Sequence, residues 1–310
     1  MEIGFLTACL RGMPFDEIVA WAAGEGFAFI ELAAWPVGSR RSTEAGPFDV
    51  ANLTSDQAAR AREVLAEHGV SISAMAYYEN NLHPDRSRRR RHHIHLRKVI
   101  DAAEMLEVPL VGTFVGASSD LPPVIIRDAG ILFRNLVSYA SDRGVRLMIE
   151  NCPMENWVRW GLPGNYAYSP ELWDALFHEV PELGLNFDPS HLYWLHIDHL
   201  RAVRDYASRI YHVHAKDAEL VSDGTYRFGV LAEQLRGNPW RSGWWRYRMP
   251  GRGGVDWRAF VEVLREARYR GGLSIEHEDP EYEGTEEKVK EGLRLGRRHL
   301  AGVVDEIGSG

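Results

Sequence analysis

Cysteine and long apolar runs are both scarce in this sequence. Cys9 and Cys152 are its two cysteines and form no C-x-x-C pair, so neither a disulfide framework nor a thiolate zinc site is expected. No stretch approaches the roughly eighteen apolar residues of a transmembrane helix, and the amino terminus lacks the basic start and apolar run of a signal peptide. We therefore expect a cytoplasmic protein without a membrane partner, in which any metal is held by histidine and carboxylate side chains.

Positive charge is also in short supply. The 36 Lys and Arg residues face 44 Asp and Glu residues, and the resulting formal net charge of −8 repels a nucleic-acid backbone. The one basic run, from Arg86 to Arg91, leads into a helix-period stretch and is typical of a solvated helix face. We expect no nucleic-acid partner.

Nucleotide-binding motifs are missing as well, since no G-x-G-x-x-G follows the first predicted strand and no G-x-x-x-x-G-K-[ST] occurs. The chain instead alternates short β-type runs with longer helix-period stretches, which is typical of parallel βα units. The predicted strands are Ile3–Thr7, Phe27–Leu32, Ser71–Ala76, Leu110–Phe114, Arg146–Glu150, Leu183–Phe187, Ile210–His214 and Gly272–Glu276. The predicted helices are Pro14–Gly24, Ser55–His68, Arg90–Leu106, Ala129–Arg143, Pro170–Glu179, Asp198–Tyr206, Asp256–Ala267 and Glu286–Val304. This pattern favours a (β/α)8 TIM barrel, an α/β fold forming a single domain over residues 1–310, with an open doubly wound sheet as the alternative.

One long insertion interrupts this pattern at residues 218–255, after the seventh predicted strand. It is rich in Trp, Arg and Gly, and it includes Trp240 and Arg241. Loops of this length inside a compact domain are usually lids or binding loops.

The carboxyl ends of four predicted strands carry groups that can bind a metal. These residues are Glu150, Asp188, His214 and Glu276. Strand ends of a barrel converge at one mouth, and burying several uncompensated carboxylates there would cost several kcal/mol, so we expect a cation among them. Three carboxylates and one imidazole suit Mn²⁺, Mg²⁺ or Co²⁺, with Zn²⁺ as a second choice. Each acid taken alone could equally cap the following helix.

Neighbouring side chains suggest a substrate-binding layer. His191 follows Asp188 by three residues, and His212 lies on the same side of its strand as His214. Lys216 follows at the strand mouth, where it could be either a solvated charge or a substrate contact. Glu278 shares the face of Glu276 and could replace it as the ligand, and Glu31 at the end of the second strand is a weaker candidate that could brace a loop.

These motifs together resemble those of the xylose-isomerase-like superfamily of sugar isomerases and epimerases. The matching segments are 149–151, 186–191, 212–217, 250–257 and 274–278. The resemblance implies a metal held by Glu150, Asp188, His214 and Glu276, with the two glutamates also acting as an acid/base pair and His191 orienting a substrate oxygen. The epimerases place an arginine six residues beyond the metal histidine, where this chain has Leu220. Lys216, or Arg248 from the insertion, could supply that charge.

We therefore predict a divalent-metal-dependent sugar isomerase or epimerase of carbohydrate metabolism, which transfers a proton through a metal-stabilised enediolate. Its cofactor would be one divalent ion, with manganese favoured over magnesium, cobalt and zinc, and its partner a small carbohydrate. A lyase using the same site is the alternative, either an inosose-type dehydratase or a subunit that cleaves a 3-oxo-glycoside or C-glycoside. An endonuclease of the same superfamily is less favoured because it would need more metal ligands and a basic groove. A sugar-binding protein without activity is disfavoured by the complete acid/base set, and a homo- or hetero-oligomer is possible.

Overall fold

Eight parallel strands close into a barrel in the structure, a computed structural model that describes residues 1–36, 49–118, 120, 122–154, 163–230 and 243–308. The barrel strands are β1 (Ile3–Leu6), β2 (Phe29–Ala33), β3 (Ser71–Ala76), β4 (Leu110–Thr113), β5 (Arg146–Glu150), β6 (Gly184–Phe187), β7 (Ile210–Ala215) and β10 (Leu273–Ile275). They neighbour one another in chain order, and β10 pairs with both β7 and β1 to close the ring. The predicted single-domain TIM barrel is confirmed, and the alternative of an open sheet is wrong.

Helices surround the barrel. They are α1 (Phe15–Gly24), α2 (Ser55–His68), α3 (Arg86–Met105), α4 (Pro122–Ser141), α5 (Pro170–Glu179), α6 (Pro189–Trp194), α7 (His199–Asp205), α8 (Ser222–Phe228), α9 (Trp257–Glu266) and α10 (Glu286–Gly308). Helix α3 begins four residues before its predicted start because the Asp85 carboxylate accepts a hydrogen bond from Arg88 N and caps it. The basic run is therefore the first turn of a helix. None of the helices in the described part of the chain combines the length and hydropathy needed to span a bilayer.

Alternation along the strands separates two regions of the interior. Val213 and Ala215 of β7 belong to the apolar core between sheet and helices, whereas His212 and His214 point to the other side of the strand, into the barrel. Phe29 packs against the His212 ring inside the barrel, with 6.4 Å between ring centroids. Polar side chains therefore occupy the upper barrel above an apolar floor.

The insertion after β7 contains an antiparallel hairpin rather than an irregular loop. Strand β8 (Asp217–Leu220) pairs with β9 (Trp245–Arg248), with Asp217 opposite Arg248 and Leu220 opposite Trp245. Residues 231–242, which include Trp240 and Arg241, lie outside the described residues. Only Lys216 separates the end of β7 from the start of β8, so the hairpin is anchored directly at the carboxyl mouth of the barrel.

Asp217 fixes the base of this hairpin. Its carboxylate accepts hydrogen bonds from the backbone N–H groups of Ala218, Gly251 and Val255 and from Trp257 Nε1, at 2.9–3.0 Å. Asp217 is fully buried, and its carboxylate is occupied by these four donors.

Candidate functional site

Four strand ends bring the predicted ligands to the carboxyl mouth of the barrel. Glu150 is the last residue of β5, Asp188 follows β6, His214 is in β7, and Glu276 follows β10. Three of them are buried, and the Glu276 side chain is 15% exposed. Since the acids end apolar strands, the barrel geometry alone forces them together.

Asp188 is positioned by contacts on both sides. Its backbone N–H donates to Asn151 Oδ1 at 2.8 Å, and Asn151 Nδ2 donates to its carbonyl at 2.9 Å. Its Oδ1 atom accepts from Ser190 N and caps α6, while its Oδ2 atom is buried without a hydrogen-bond partner. Asp188 therefore caps a helix with one oxygen and presents the other to the site.

The ligand-type atoms lie close together. Glu150, Asp188, His191 and Glu276 each offer one atom within 4.8 Å of the others. His214 Nδ1 lies 3.3 Å from Glu150 Oε1 and 3.2 Å from Glu276 Oε2. His191 Nε2, also buried without a hydrogen-bond partner, lies 3.3 Å from Asp188 Oδ2 and 3.4 Å from Glu150 Oε1. Both histidines thus face the acids, although the sequence favoured His214 as the ligand and His191 as a substrate contact; these roles stay predictions.

Lys216 lies inside the acidic cluster. Its side chain is 1% exposed, and Nζ lies 2.6 Å from Glu276 Oε2, 3.2 Å from Asp188 Oδ2 and 3.1 Å from Glu278 Oε2. The interpretation of Lys216 as a solvated charge is wrong. Glu278 is the outer of the two neighbouring acids, with a side chain that is 46% exposed.

The two glutamates have opposite protonation tendencies. Burial and the nearby Glu276 charge raise the pKa of Glu150 to about 8. Burial also opposes ionisation of Glu276, but the Lys216 ammonium and His214 outweigh it and hold the Glu276 pKa well below its usual range. Before any cation binds, one glutamate therefore favours the protonated form and the other is ionised, as an acid/base pair requires.

Glu31, a weak candidate in the sequence, lies directly behind His214. Its side chain is fully buried and Oε2 lies 2.8 Å from His214 Nε2. Ser274 Oγ donates to the same oxygen at 2.8 Å, and Tyr78 O–H donates to Oε1 at 3.0 Å. Burial opposes ionisation of Glu31, but His214 and His212 outweigh it and lower its pKa. The sequence indicated Glu31 only as an acid near the end of a predicted strand. It does not show which side chain this acid contacts.

The other two predicted substrate residues lie elsewhere. His212 is one layer deeper in the barrel, with Nδ1 3.0 Å from Asn186 Oδ1 and Nε2 3.0 Å from Ser73 Oγ. Arg248 lies on β9, and its guanidinium contacts Asp279 at 3.1 Å, Glu281 at 2.8 Å and Glu219 at 3.3 Å. Arg248 thereby ties the hairpin to the segment after β10, and its contacts are with a different set of acids from those of the mouth.

Tyr247, an aromatic residue of the insertion for which the sequence predicted no specific role, lies at the site. Its hydroxyl lies 3.0 Å from His191 Nδ1, and its ring centroid lies 4.4 Å from Lys216 Nζ. The sequence feature that could have indicated its position is side-chain alternation along a strand, which places the adjacent residues Tyr247 and Arg248 on opposite faces of β9. The insertion therefore contributes an aromatic wall to the mouth.

The donor set fits a divalent cation. Five carboxyl groups, from Glu31, Glu150, Asp188, Glu276 and Glu278, lie against one ammonium group and three imidazoles, those of His191, His212 and His214. Asp188 Oδ2 and His191 Nε2, which have no hydrogen-bond partner, lie 3.3 Å apart within this excess negative charge. A second group, Glu31, His212 and His214, also lies within 4.8 Å, but its atoms already form hydrogen bonds with neighbouring side chains. The outer group is therefore the better metal site.

Residues 19–299 match the model of the xylose isomerase-like TIM barrel family, so the chain belongs to this family. It is 26% identical over 309 residues to the uncharacterized protein YfiH of Bacillus subtilis (strain 168), covering 90% of this chain and 93% of that protein. The family resemblance drawn from the motifs is confirmed.

Several solved structures share the fold. The probable 3-DHS dehydratase AsbF from Bacillus anthracis is 17% identical, with a TM-score of 0.70 and coverage of 97% and 99% of the two chains. The 3-keto-D-glucoside 4-epimerase YcjR from E. coli is 14% identical, with a TM-score of 0.67 and coverage of 98% and 99%. The IolI protein with a bound zinc atom is 16% identical, with a TM-score of 0.69 and coverage of 99% of each chain. At these identities the likeness shows the fold alone.

Proposed function

We propose that this protein is a divalent-metal-dependent isomerase or epimerase that moves a proton at a carbon beside the carbonyl of a sugar or polyol. The observation that carries the proposal is the convergence of Glu150 and Glu276 with Asp188 and His191 at one mouth, where each offers an atom within 4.8 Å of the others. Before a cation binds, the pKa of Glu150 is raised and that of Glu276 is lowered. Proton exchange next to a carbonyl needs one ionised base and one protonated acid on the same substrate. Glu276 and Glu150 are the residues we propose for these two roles.

Each residue has a defined part in this proposal. Glu276 removes the proton from the substrate carbon, and Glu150 returns a proton. A divalent ion held by Glu150, Asp188, His214 and Glu276, with Mn²⁺ favoured, would stabilise the negative charge that develops on the substrate oxygens. His191 and Lys216 bind substrate oxygens, since an imidazole and an ammonium group donate hydrogen bonds to them.

Deuterium wash-in tests the proposal. The protein is loaded with Mn²⁺ and incubated in heavy water with free ketoses and inososes, and the recovered sugars are analysed by mass spectrometry. We expect one solvent deuterium in substrate and product. Asp188→Asn, which keeps the cap on α6 but removes a ligand charge, should lose the exchange together with the metal. The proposal fails if Asp188→Asn exchanges at the wild-type rate without bound metal.

A lyase acting through the same first proton transfer is the second candidate. The Tyr247 ring beside Lys216 favours it, because an aromatic face suits a second ring or an aglycone that leaves during elimination. A product of unchanged mass supports the isomerase, and loss of water or of an aglycone supports the lyase. In either case, the proposed partner is a small carbohydrate in the cytoplasm, not a nucleic acid.

A further inference from the structure

We propose that Glu31 is a positioning residue that fixes the proton of His214 on Nε2 and so presents Nδ1 to the acidic cluster. This inference rests on the proposed function, because it concerns the cation site on which that function depends. The juxtaposition is between the middle of β2 and β7 across the barrel, and the two residues are separated by 183 positions in the chain.

The hydrogen bonds around Glu31 define its orientation. Oε2 accepts from Ser274 Oγ and lies 2.8 Å from His214 Nε2, while Oε1 accepts from Tyr78 O–H. A carboxylate with each oxygen engaged in this way cannot rotate without breaking a buried hydrogen bond. Its Oε2 atom therefore stays directed at the imidazole.

A competing arrangement involves Asn186, whose Nδ2 atom lies 2.9 Å from the same His214 nitrogen. If Nε2 accepted from this amide, its lone pair would face the Glu31 carboxylate at 2.8 Å, which is repulsive. The amide has another acceptor, because Asn186 Nδ2 donates to the Tyr78 hydroxyl oxygen at 2.6 Å. Its Oδ1 atom lies 3.0 Å from His212 Nδ1. A charge-assisted bond to a carboxylate is also about twice as strong as a neutral one, so the proton belongs on Nε2.

The consequence appears on the other side of the ring. Nδ1 is the atom within 3.3 Å of both Glu150 and Glu276, and without a cation it donates to Glu150. A cation at the mouth would replace this second proton, and with Nε2–H still donated to Glu31 the Nδ1 lone pair would face the cation. A carboxylate behind a ligating imidazole fixes its ring and raises its basicity. Ser274 and Tyr78 in turn hold the carboxylate.

Mn²⁺ affinity, measured by electron paramagnetic resonance titration, tests the proposal without any substrate. Glu31→Ala should weaken Mn²⁺ binding on the order of 10- to 100-fold. Glu31→Gln keeps an acceptor without the charge and should fall between Glu31→Ala and wild type. Glu25→Gln makes the same charge change outside the mouth, at the end of α1 beside Arg294, and should leave the affinity unchanged. Mn²⁺ affinity of a folded Glu31→Ala variant within about threefold of wild type would overturn the proposal.

Nitrogen NMR of the wild-type protein loaded with Zn²⁺ gives a readout that needs no variant. We expect the His214 proton on Nε2 and the Zn²⁺-shifted resonance on Nδ1. A proton on Nδ1, or Zn²⁺ on Nε2, overturns the proposal even if Glu31→Ala does not fold. A wild-type protein that binds neither Mn²⁺ nor Zn²⁺ would overturn the proposed function and this inference together, whereas binding that survives Glu31→Ala would overturn the inference alone.

Discussion

Replacing Lys216 with methionine should strengthen cation binding. The Lys216 ammonium lies 2.6 Å from Glu276 Oε2 and 3.2 Å from Asp188 Oδ2, and both carboxylates belong to the proposed metal site. Two positive groups therefore compete for the same carboxylates. Methionine retains an unbranched apolar stem and removes the charge, so the variant isolates the electrostatic contribution.

The size of the effect follows from Coulomb's law. At about 4 Å and an effective dielectric constant of about 20, an ammonium group and a divalent ion repel by about 8 kcal/mol. Lys216 can relieve part of this by moving toward Glu278, which lies 3.1 Å away and is partly solvated. At about 8 Å and a dielectric constant of about 40, about 2 kcal/mol of repulsion remains, which corresponds to about 30-fold in affinity.

Calorimetric titration with Mn²⁺ at pH 7 measures the change. We expect Lys216→Met to bind about 30-fold more tightly than wild type and Lys216→Arg, which keeps the charge, to bind like wild type. Without metal, Lys216→Met should be several kcal/mol less stable in urea, because it leaves buried carboxylates unpaired. Equal or weaker Mn²⁺ binding by a folded Lys216→Met protein would show that the ammonium does not compete with the ion.

Three further changes test other parts of the structure. Tyr247→Phe removes the hydroxyl 3.0 Å from His191 Nδ1 and should lower kcat about fivefold, or about 1 kcal/mol, in steady-state kinetics while leaving urea stability within about 1 kcal/mol. Asp217→Ala leaves four hydrogen-bond donors without their acceptor and should lower the free energy of unfolding in urea by about 3–5 kcal/mol. A decrease below about 1 kcal/mol would contradict the role of Asp217 at the hairpin base. Burial lowers the pKa of His95 in the folded protein. Below about pH 6.5 the unfolded chain therefore binds more protons at this residue than the folded protein does, and the free energy of unfolding should fall as the pH drops toward the folded-state pKa. His95→Gln should reduce this pH dependence of the unfolding free energy by up to about 1.4 kcal/mol per pH unit. Urea unfolding of both proteins at pH 7 and pH 5.5 measures the effect. If wild type and His95→Gln lose the same unfolding free energy between these pH values, the prediction is refuted.

The barrel and its mouth could be predicted because both follow from local patterns. Apolar runs ending in Glu150 or Asp188 are short-range features, and the convergence of parallel strand ends is a property of the fold rather than of any one contact. The hairpin could not be predicted in the same way. Pairing of β8 with β9 joins segments separated by more than twenty residues, and its register depends on the Asp217 contacts with residues beyond β9.

Charges inside the site were the hardest feature to predict. Lys216 follows an inward-facing strand, but the sequence is equally compatible with a solvated charge and with a substrate contact, since lysine is seldom fully buried without partners. The partners come from β6 and from the segment after β10, far along the chain. Glu31 presents the same difficulty, because its contact with His214 depends on how two strands face each other across the barrel.

These two residues act on the site in opposite directions. Glu31 adds negative charge behind His214, whereas Lys216 places positive charge among the ligand oxygens. Without Lys216, a chain folding before it meets a metal would have to bury Asp188 and Glu276 with His214 as the charged partner of Glu276, at a cost of several kcal/mol. The ammonium therefore stabilises the metal-free barrel, and in our proposal the same charge would weaken the cation binding that Glu31 would strengthen. Glu278, at the solvent edge 3.1 Å from Lys216 Nζ, would remain a partner for the ammonium if an ion displaced it from Glu276 and Asp188.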